Sequence, residues 1–310
     1  MRNSSLLVCC AIALASSACA GDDKPAAGDT TTDQQGPIAS DKESLTLTTD
    51  EFSLDAGQEK YLCFATTLDE DAVVDAYSSE AQPFVHHIVF VRTLKPEPDG
   101  FAECDTLFRD TWDPLYLSGA GASKLQFPDG AGHKLTKGTQ LLAQLHLLNA
   151  TDAAVQGKVS IDMHRSTASD PRPVSTYVFG TRQIKLPPNQ ATDITSDCEM
   201  TEPVHLIAAF PHLHQLGTAL HFEAGNSMDD MTDVYSRDPY SFDDQHTEGV
   251  DIQLDQGTMT RVTCSYNNQT PEEVTFGEST HDEMCFFIGF ALDRNKITSC
   301  SPMQNMQNME

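Results

Sequence analysis

The chain has 310 residues, of which 46 are acidic and 19 are basic, so its formal net charge is −27. Because the negative charge is spread along the chain, it argues against nucleic acid as a partner. Solubility outside the cell or adaptation to salt explains such a charge more simply than attraction of a cationic substrate does.

The N-terminus is predicted to be an export signal, because a positive start and a short apolar core precede small residues and Cys19. It resembles a bacterial lipoprotein signal, in which the cysteine is acylated, although Ser16 stands where such signals usually carry leucine. Cleavage after Ala20 is the alternative, and either route exports the chain. We therefore expect residues 1–19 to be a signal peptide, with a lipid on Cys19 as the only membrane contact. The anchored protein would face the periplasm or the surface of a bacterial cell.

The rest of the chain is predicted to be a tethered all-β protein. Residues 20–45 are polar and rich in turn-forming residues, as in a flexible tether. Short runs rich in valine, isoleucine, threonine and aromatic residues then alternate with clusters of Gly, Pro, Asp and Asn. A polar stretch with two prolines, "TASDPRPVS", favours a domain break. We predict two antiparallel β-sandwich domains, jelly-roll-like and in tandem, over residues 46–168 and 169–302, followed by a tail at 303–310.

Six cysteines remain outside the signal region: Cys63, Cys104, Cys198, Cys264, Cys285 and Cys300. In an exported chain an even number favours three disulfides over a metal cluster. The sequence has no close C-x-x-C pair that would suggest zinc or an iron–sulfur cluster.

The run "PFVHHIVFV" places His86 and His87 side by side in a predicted buried strand. Neighbouring residues on a regular strand point to opposite faces, so one polar residue is easily explained and two are not. One histidine in the core and one facing solvent is an alternative as good as a metal site.

Two further runs carry histidines that share a strand face. His212 and His214 flank one leucine in "FPHLHQLG", so both imidazoles can reach one metal ion without distorting the strand. His146 lies in "LLAQLHLL" with Gln144 on the same face, where a lone histidine is more often a hydrogen-bonded core residue. In "STHDEMCFF", Met284 is by itself more often core filling than a ligand.

Imidazole and thioether ligands together suit copper. The runs "YLC", "VHHIVF", "QLH", "HLH", "CSYNN" and "DEMC" occur in an order and approximate spacing that resemble the copper type II, ascorbate-dependent monooxygenases. That family includes peptidylglycine alpha-hydroxylating monooxygenase and dopamine beta-monooxygenase. The resemblance covers most of the chain after the tether.

The resemblance implies an electron-transfer copper in the first domain, with His86, His87 and His146 as its ligands. Two adjacent histidines can converge on one ion only if the strand bends or ends there. Tyr61 and Gln144 match family positions near that copper.

The resemblance also implies an oxygen-binding copper in the second domain, held by His212, His214 and Met284. It further implies three disulfides, which join Cys63 with Cys104, Cys198 with Cys300, and Cys264 with Cys285. The last bond would hold Met284 in place.

The implied reaction is hydroxylation of a C–H bond by dioxygen, with two electrons from ascorbate or another one-electron reductant. Family members that act on peptides hold a carboxylate with three polar side chains, and this sequence has Phe210, Phe286 and Ile288 at those positions. We therefore expect a small, apolar or aromatic substrate, and a monomer with two copper ions.

A competing interpretation is a non-catalytic, extracytoplasmic copper-binding lipoprotein, and a third is a disulfide-bonded adhesive module. Retention of two complete ligand sets favours catalysis. The other histidines match no ligand position, and surface or core roles are expected for them: His133, His164, His205, His221, His246 and His281.

Overall fold

The computed structural model describes residues 43–104, 109, 111–119 and 121–300. The chain divides into two compact units, Met1–Thr30 and Thr31–Glu310, and every described residue belongs to the second. The predicted signal peptide with Cys19, most of the tether, and the tail lie outside the described residues. Within the described part, no helix is long and apolar enough to cross a membrane.

Every regular element in the described residues is a β-strand, so the predicted all-β class is confirmed. The first half contains β1 (Ser44–Thr48), β2 (Phe52–Leu54), β3 (Glu59–Thr67), β4 (Ala72–Ala81), β5 (Val85–Thr93), β6 (Gly100–Glu103), β7 (Trp112–Gly119), β8 (Gly121–Gln126), β9 (Ala131–Leu135), β10 (Gln140–Leu148), β11 (Val155–Gly157) and β12 (Ser160–Arg165). The second half contains β13 (Arg172–Thr181), β14 (Lys185–Leu186), β15 (Gln190–Glu199), β16 (Val204–His212), β17 (Gly217–Gly225), β18 (Thr232–Arg237), β19 (Glu248–Leu254), β20 (Met259–Asn268), β21 (Val274–Thr275), β22 (Cys285–Leu292) and β23 (Thr298–Cys300).

Each half is an antiparallel β-sandwich. In the first half, the sheet β6-β3-β10-β5-β7 packs on β1, β12, β4, β8 and β9. In the second half, β13, β22, β16 and β19 pack on the sheet β15-β20-β17-β18. A short parallel pairing of β9 with β13 makes one ten-stranded sheet that runs through both halves. The predicted domain boundary falls between β12 and β13 and stays a prediction.

Burial follows the position of each strand in its sheet. In β20, side chains alternate between buried and partly exposed positions, the period-two pattern of a strand with one face on the core. In β10, seven of nine positions are buried, because this strand is central in its sheet and both faces are covered. His146 and Gln144 lie on β10, so the fold places two polar side chains in the interior.

Each half contains the same kind of turn, although the sequence has no internal repeat of fixed period. After β10, the amide of Asn149 donates to the carbonyls of Asp55 and Ala153, and its oxygen accepts from Thr151. At the end of β20, Asn268 makes the equivalent bonds to carbonyls at Pro187 and Glu272 and accepts from Thr270. Each turn is preceded by a strand of the sandwich and lies beside a two-stranded ladder, β2 with β11 and β14 with β21. The halves are therefore two versions of one local architecture.

A buried ion pair lies where the halves meet. Nε of Arg92 on β5 donates to Oδ2 of Asp113 on β7 (2.8 Å), and the Asp113 side chain is 1% exposed. From β13, Ser175 donates to Asp113 (3.3 Å) and Thr176 donates to the carbonyl of Pro114 (3.0 Å). Polar contacts therefore tie β13 of the second half to the first sandwich.

All six predicted disulfide cysteines are paired in the described residues. The bonds join Cys63 with Cys104, Cys198 with Cys300, and Cys264 with Cys285. The prediction of three disulfides is confirmed. The bond between Cys264 on β20 and Cys285 on β22 crosses the second sandwich and fixes the chain next to Met284.

Candidate metal centre

A β-bulge brings His86 and His87 to the same place. His87 on β5 lies opposite His146 on β10, but the next pair is Val85 with Leu147, so His86 is the extra residue of a bulge. A bulge bends its strand and redirects a side chain that would otherwise point away. All three histidines are buried, and the bend that two adjacent ligands require is present.

The spacing of the three rings fits one metal ion. Nδ1 of His87 lies 3.3 Å from Nδ1 of His86 and 3.4 Å from Nδ1 of His146. Two nitrogens bound at about 2.0 Å to one ion are roughly 3.1 to 3.5 Å apart at ordinary bond angles. Imidazole suits copper, so these three histidines fit the copper ion that the sequence resemblance implies.

Burial keeps these imidazoles in the form that binds metal. Loss of solvent lowers the pKa of His86 to about 4, with a further lowering from His146, and it lowers the pKa of His87 well below the usual value. Neutral imidazole is the ligating form. At neutral pH no proton competes with a metal ion at either ring.

Two residues of β3 support His146. Oε1 of Glu59 lies 2.8 Å from Nε2 of His146, and the Tyr61 ring stacks on the imidazole with centroids 4.4 Å apart. The hydrogen bond with His146 lowers the pKa of Glu59 to about 2, so the carboxylate is an acceptor at neutral pH. Nε2 of His146 is therefore the donor, which makes Nδ1 the nitrogen that the neutral ring offers to a metal.

Gln144 is buried two residues before His146 on β10. Its Nε2 donates to Sγ of Cys104, 3.7 Å away, which places the amide against the Cys63–Cys104 disulfide. The predicted role of Gln144 at a metal centre stays a prediction.

His212 and His214 form a second buried set at the end of β16. Nδ1 of His212 lies 2.7 Å from Oε1 of Gln245, and Nδ1 of His214 lies 3.0 Å from the carbonyl oxygen of Asp282. Because both partners only accept, each Nδ1 carries the proton and each Nε2 has the lone pair. Nε2 of His212 is buried without a hydrogen-bond partner among the described residues, as a free ligand atom is. Burial lowers the pKa of His212 to about 3 and that of His214 to about 4.

Met284 lies on the same side of the sheet as His212. The strands β16 and β22 pair with His212 opposite Phe286 and Phe210 opposite Ile288. Side chains two apart on a strand share a face, so Met284, immediately before β22, points to the face of Phe286. Met284 is buried there, and its carbonyl accepts from the hydroxyl of Tyr266 (2.6 Å).

The three predicted substrate-pocket residues lie on that same face. The Phe210 ring is 5.7 Å from the His212 ring, and Phe286 packs in one apolar cluster with Met284 and Val178. Ile288 contacts this cluster from the neighbouring position of β22. The structure therefore surrounds His212 and Met284 with apolar side chains.

The two histidine sets touch each other. The rings of His87 and His212 are 5.6 Å apart and nearly perpendicular, and the Phe242 ring stacks on His86 at 3.9 Å. Phe242 also approaches the ring of His214, at 6.4 Å. The five histidines thus form one buried cluster between the halves.

Four further residues support the cluster, and three of them lie apart in sequence from every predicted ligand. Glu59 and Gln245 bond ligand rings, and Phe242 covers His86. Glu283 is fully buried and accepts from the backbone N–H groups of His214 (2.9 Å) and Leu216 (2.7 Å), and burial raises its pKa to about 7. Apart from Glu283, which precedes Met284, none of them adjoins a predicted ligand in sequence, so no local pattern marks them.

The segment that carries Phe242 and Gln245 is pressed against β7. Thr247 donates to the carbonyl of Leu117 (2.7 Å), and a side chain at Gly119 would collide with the backbone oxygen of Gln245. Glycine is therefore required where this segment crosses the first sandwich.

The histidines that matched no ligand position have other surroundings. His133 bonds the hydroxyl of Tyr77, and His205 bonds Asp251 at the surface. Among the His, Cys, Asp and Glu residues that the structure describes, the one group of three whose ligand atoms lie within 4.8 Å of one another is that of His86, His87 and His146.

Comparison with solved structures gives low similarity. The major capsid protein P2 from Bacteriophage PM2 matches with a TM-score of 0.36 and 12% identity, over 81% of this chain and 97% of that chain. PBCV-1 VP54 matches with a TM-score of 0.30 and 8% identity, over 84% of this chain and 96% of that chain. The ANXUR2 extracellular domain from Arabidopsis thaliana matches with a TM-score of 0.23 and 6% identity, over 83% of this chain and 90% of that chain. Scores below 0.5 say nothing about function.

No curated protein matches the chain. A family model does match its second half: residues 174–310 are similar to the C-terminal domain of copper type II ascorbate-dependent monooxygenases.

Proposed function

We propose that this protein is a copper-dependent monooxygenase that hydroxylates a C–H bond of a small, apolar or aromatic substrate. Dioxygen and a one-electron reductant such as ascorbate are the co-substrates. The observation that carries the proposal is the buried histidine cluster, whose second set, His212 and His214, lies inside the segment that matches the family. The fixed ring orientations of both sets support two copper ions per chain.

The residues of the chain have separate tasks in this proposal. His86, His87 and His146 hold one copper through Nδ1 atoms, and His212 and His214 hold the other through Nε2, together with Met284. Copper in these sets supplies one-electron transfer and the activation of dioxygen. A thioether ligand favours the reduced ion, because sulfur is a softer donor than nitrogen.

The apolar face beside His212 supports an apolar substrate. Phe210, Phe286 and Ile288 offer no hydrogen-bonding side-chain group, so a polar group placed among them loses its water without compensation. An aromatic or aliphatic C–H group has no such desolvation cost.

One cation adjoins this face. Cζ of Arg182 lies 5.5 Å from the centroid of Phe276, and the Phe276 ring is 6.3 Å from Phe286. Its Nε is buried without a hydrogen-bond partner among the described residues. Guanidinium groups bind carboxylates well, so aromatic carboxylates belong in the substrate panel beside neutral aromatics.

We propose an extracytoplasmic, monomeric, lipid-anchored protein. Three disulfides support an oxidising compartment. Acylation of Cys19 and the side of the membrane to which the protein faces belong to the same proposal.

A non-catalytic copper-binding protein is the second candidate, because buried histidines alone serve a scavenger equally well. The apolar face around His212 and Met284 favours the enzyme, since storage of copper needs no apolar surroundings beside one set of ligands.

Copper titration and product analysis test the proposal. We expect the purified, reduced protein to bind two copper ions and to transfer one atom of labelled dioxygen to a substrate in the panel, only with reductant present. His86→Ala and His212→Ala should each remove turnover, and the surface variant His205→Ala should retain it. Binding of fewer than two ions contradicts the two-copper assignment, and copper binding without product across the panel favours the scavenger.

A further inference from the structure

Glu59 makes two contacts that belong to different halves of the chain. Its Oε1 lies 2.8 Å from Nε2 of His146 within the first sandwich. The same carboxylate accepts from the backbone N–H of Thr280 (3.3 Å) and from its hydroxyl (3.2 Å) in the second half. One carboxylate therefore joins a candidate ligand to a distant part of the sequence.

A second residue of β3 repeats this arrangement. Tyr61 lies two positions after Glu59, on the same face of the strand. Its ring stacks on His146, and its hydroxyl donates to the carbonyl of Glu278 (2.7 Å). Both residues thus contact His146 and the segment 278–280 together.

The segment that begins at 278 leads directly to the other histidine set. The carbonyl of Asp282 orients His214 through Nδ1, and the carboxylate of Glu283 accepts from the backbone of His214. Met284 follows at once. Contacts therefore run from His146 through Glu59 and Thr280 to the residues that surround His214.

We propose that Glu59 is a positioning residue that fixes the tautomer of His146 and aligns the two histidine sets with each other. The proposal rests on the copper sites of the proposed function. A surface pair with the same chemistry, His205 with Asp251 at 2.6 Å, joins no such segments and serves as the comparison.

The first test uses the metal-free protein. Imidazole ¹⁵N NMR, assigned with His146→Gln, should show the Nε2-protonated tautomer of His146. Glu59→Ala should give a mixture of tautomers, and Glu59→Gln, which keeps an acceptor oxygen, should preserve the wild-type form. Asp251→Asn should leave His146 unchanged. An unchanged tautomer in Glu59→Ala overturns the orienting role.

The second test measures alignment through copper affinity. Glu59→Ala should weaken copper binding at the first set roughly 10- to 100-fold, as loss of a bond to a ligand ring does. In a His86→Ala background, which disables the first set, adding Glu59→Ala or Thr280→Val should still weaken binding of the remaining copper at least about threefold. Equal affinities in that background overturn the alignment.

Glu59→Gln separates positioning from charge and also covers a failure of Glu59→Ala to fold. Rescue of both affinities to within about threefold of the wild type supports positioning, because glutamine retains the acceptor. Losses as large as in Glu59→Ala mean that charge acts instead and overturn the proposal. If the wild-type protein binds no copper, the proposed function fails, and the NMR test still decides what Glu59 does to His146.

Discussion

The hydrogen bond that one imidazole nitrogen makes determines which of the two nitrogens can bind a metal. His146 has its Nε2 bonded by Glu59, whereas His212 and His214 have Nδ1 bonded by an amide oxygen and a carbonyl. In the proposed function, the two sets therefore present opposite ring atoms to copper. This difference is invisible in the sequence, where all histidines look alike.

Gln245→Leu should weaken metal binding at the second set. The substitution removes the acceptor for Nδ1 of His212 and leaves a hydrophobic side chain of similar size at a buried position. Without that bond the ring is no longer held with Nε2 toward the metal, so copper affinity at this set should fall roughly 10- to 100-fold. Competition with a copper chelator measures the change.

Gln269→Leu is the matched control, because Gln269 is exposed. Its copper affinities should equal those of the wild type. The same affinity in Gln245→Leu would show that the bond to His212 is unnecessary for metal binding.

At the scale of strands, the site depends on how the two sandwiches meet. The bulge in β5 is in the first half, His212 ends β16 in the second, and the contact between their rings exists because the halves are joined. The junction contains the pair of Arg92 and Asp113, where burial raises the pKa of Asp113 in spite of the guanidinium. A charge pair this buried is costly to break from one side.

Asp113→Ala should destabilise the protein by about 3–5 kcal/mol, because it leaves the Arg92 guanidinium without its carboxylate. Chemical denaturation with the disulfides intact measures the free energy of unfolding. Asp197→Ala, which removes the partly exposed partner of Arg261, should cost less than about 1 kcal/mol. A loss at Asp113 as small as that at Asp197 would mean that the buried pair contributes no more to stability than an exposed pair does.

For the molecule as a whole, five buried histidines whose pKa is lowered by burial make stability depend on pH. Each has a folded-state pKa below its unfolded value, so the unfolded chain binds more protons as the pH falls from about 6.5 toward 4 or 3. Glu283 has the opposite effect on stability between about pH 7 and pH 4.5. Its folded-state pKa is raised, so in this range the folded chain binds the extra proton. Glu283 is outnumbered by the five histidines whose pKa burial lowers: His86, His87, His133, His212 and His214.

The metal-free protein should therefore lose stability as the pH falls from 6.5 to 4. Each histidine contributes up to about 1.4 kcal/mol per pH unit. Denaturation at a series of pH values gives the slope, and His133→Asn, which is remote from the metal cluster, should reduce it by about one proton. Stability that is constant or rises on acidification over this range would contradict the neutral state of these rings.

Local patterns in the sequence were enough to predict the class of fold, whereas the candidate ligand sets came from the resemblance to the copper monooxygenases. The alternating apolar residues of β20 and the apolar run of β10 are such patterns. They are typical of strands, because side-chain direction repeats every two residues. An even number of cysteines in an exported chain predicted the three disulfides. If His86 and His87 bind one ion, as the resemblance implies, the strand must bend there, and β5 has a bulge at that point.

The surroundings of those ligands depend on the tertiary structure. Glu59 is 87 positions from His146 and 221 positions from Thr280, and Gln245 is 33 positions from His212, so their contacts depend on strand pairing and on how the halves pack. The repeated turns share the short motif Asn-x-Thr at Asn149 and Asn268, but the carbonyls of Asp55 and Pro187 that these asparagines also bond come from a distant strand end. A hydrogen bond across such separations leaves no local pattern in the sequence. Its two ends meet only because the whole fold brings them together, and neighbouring residues do not determine that meeting.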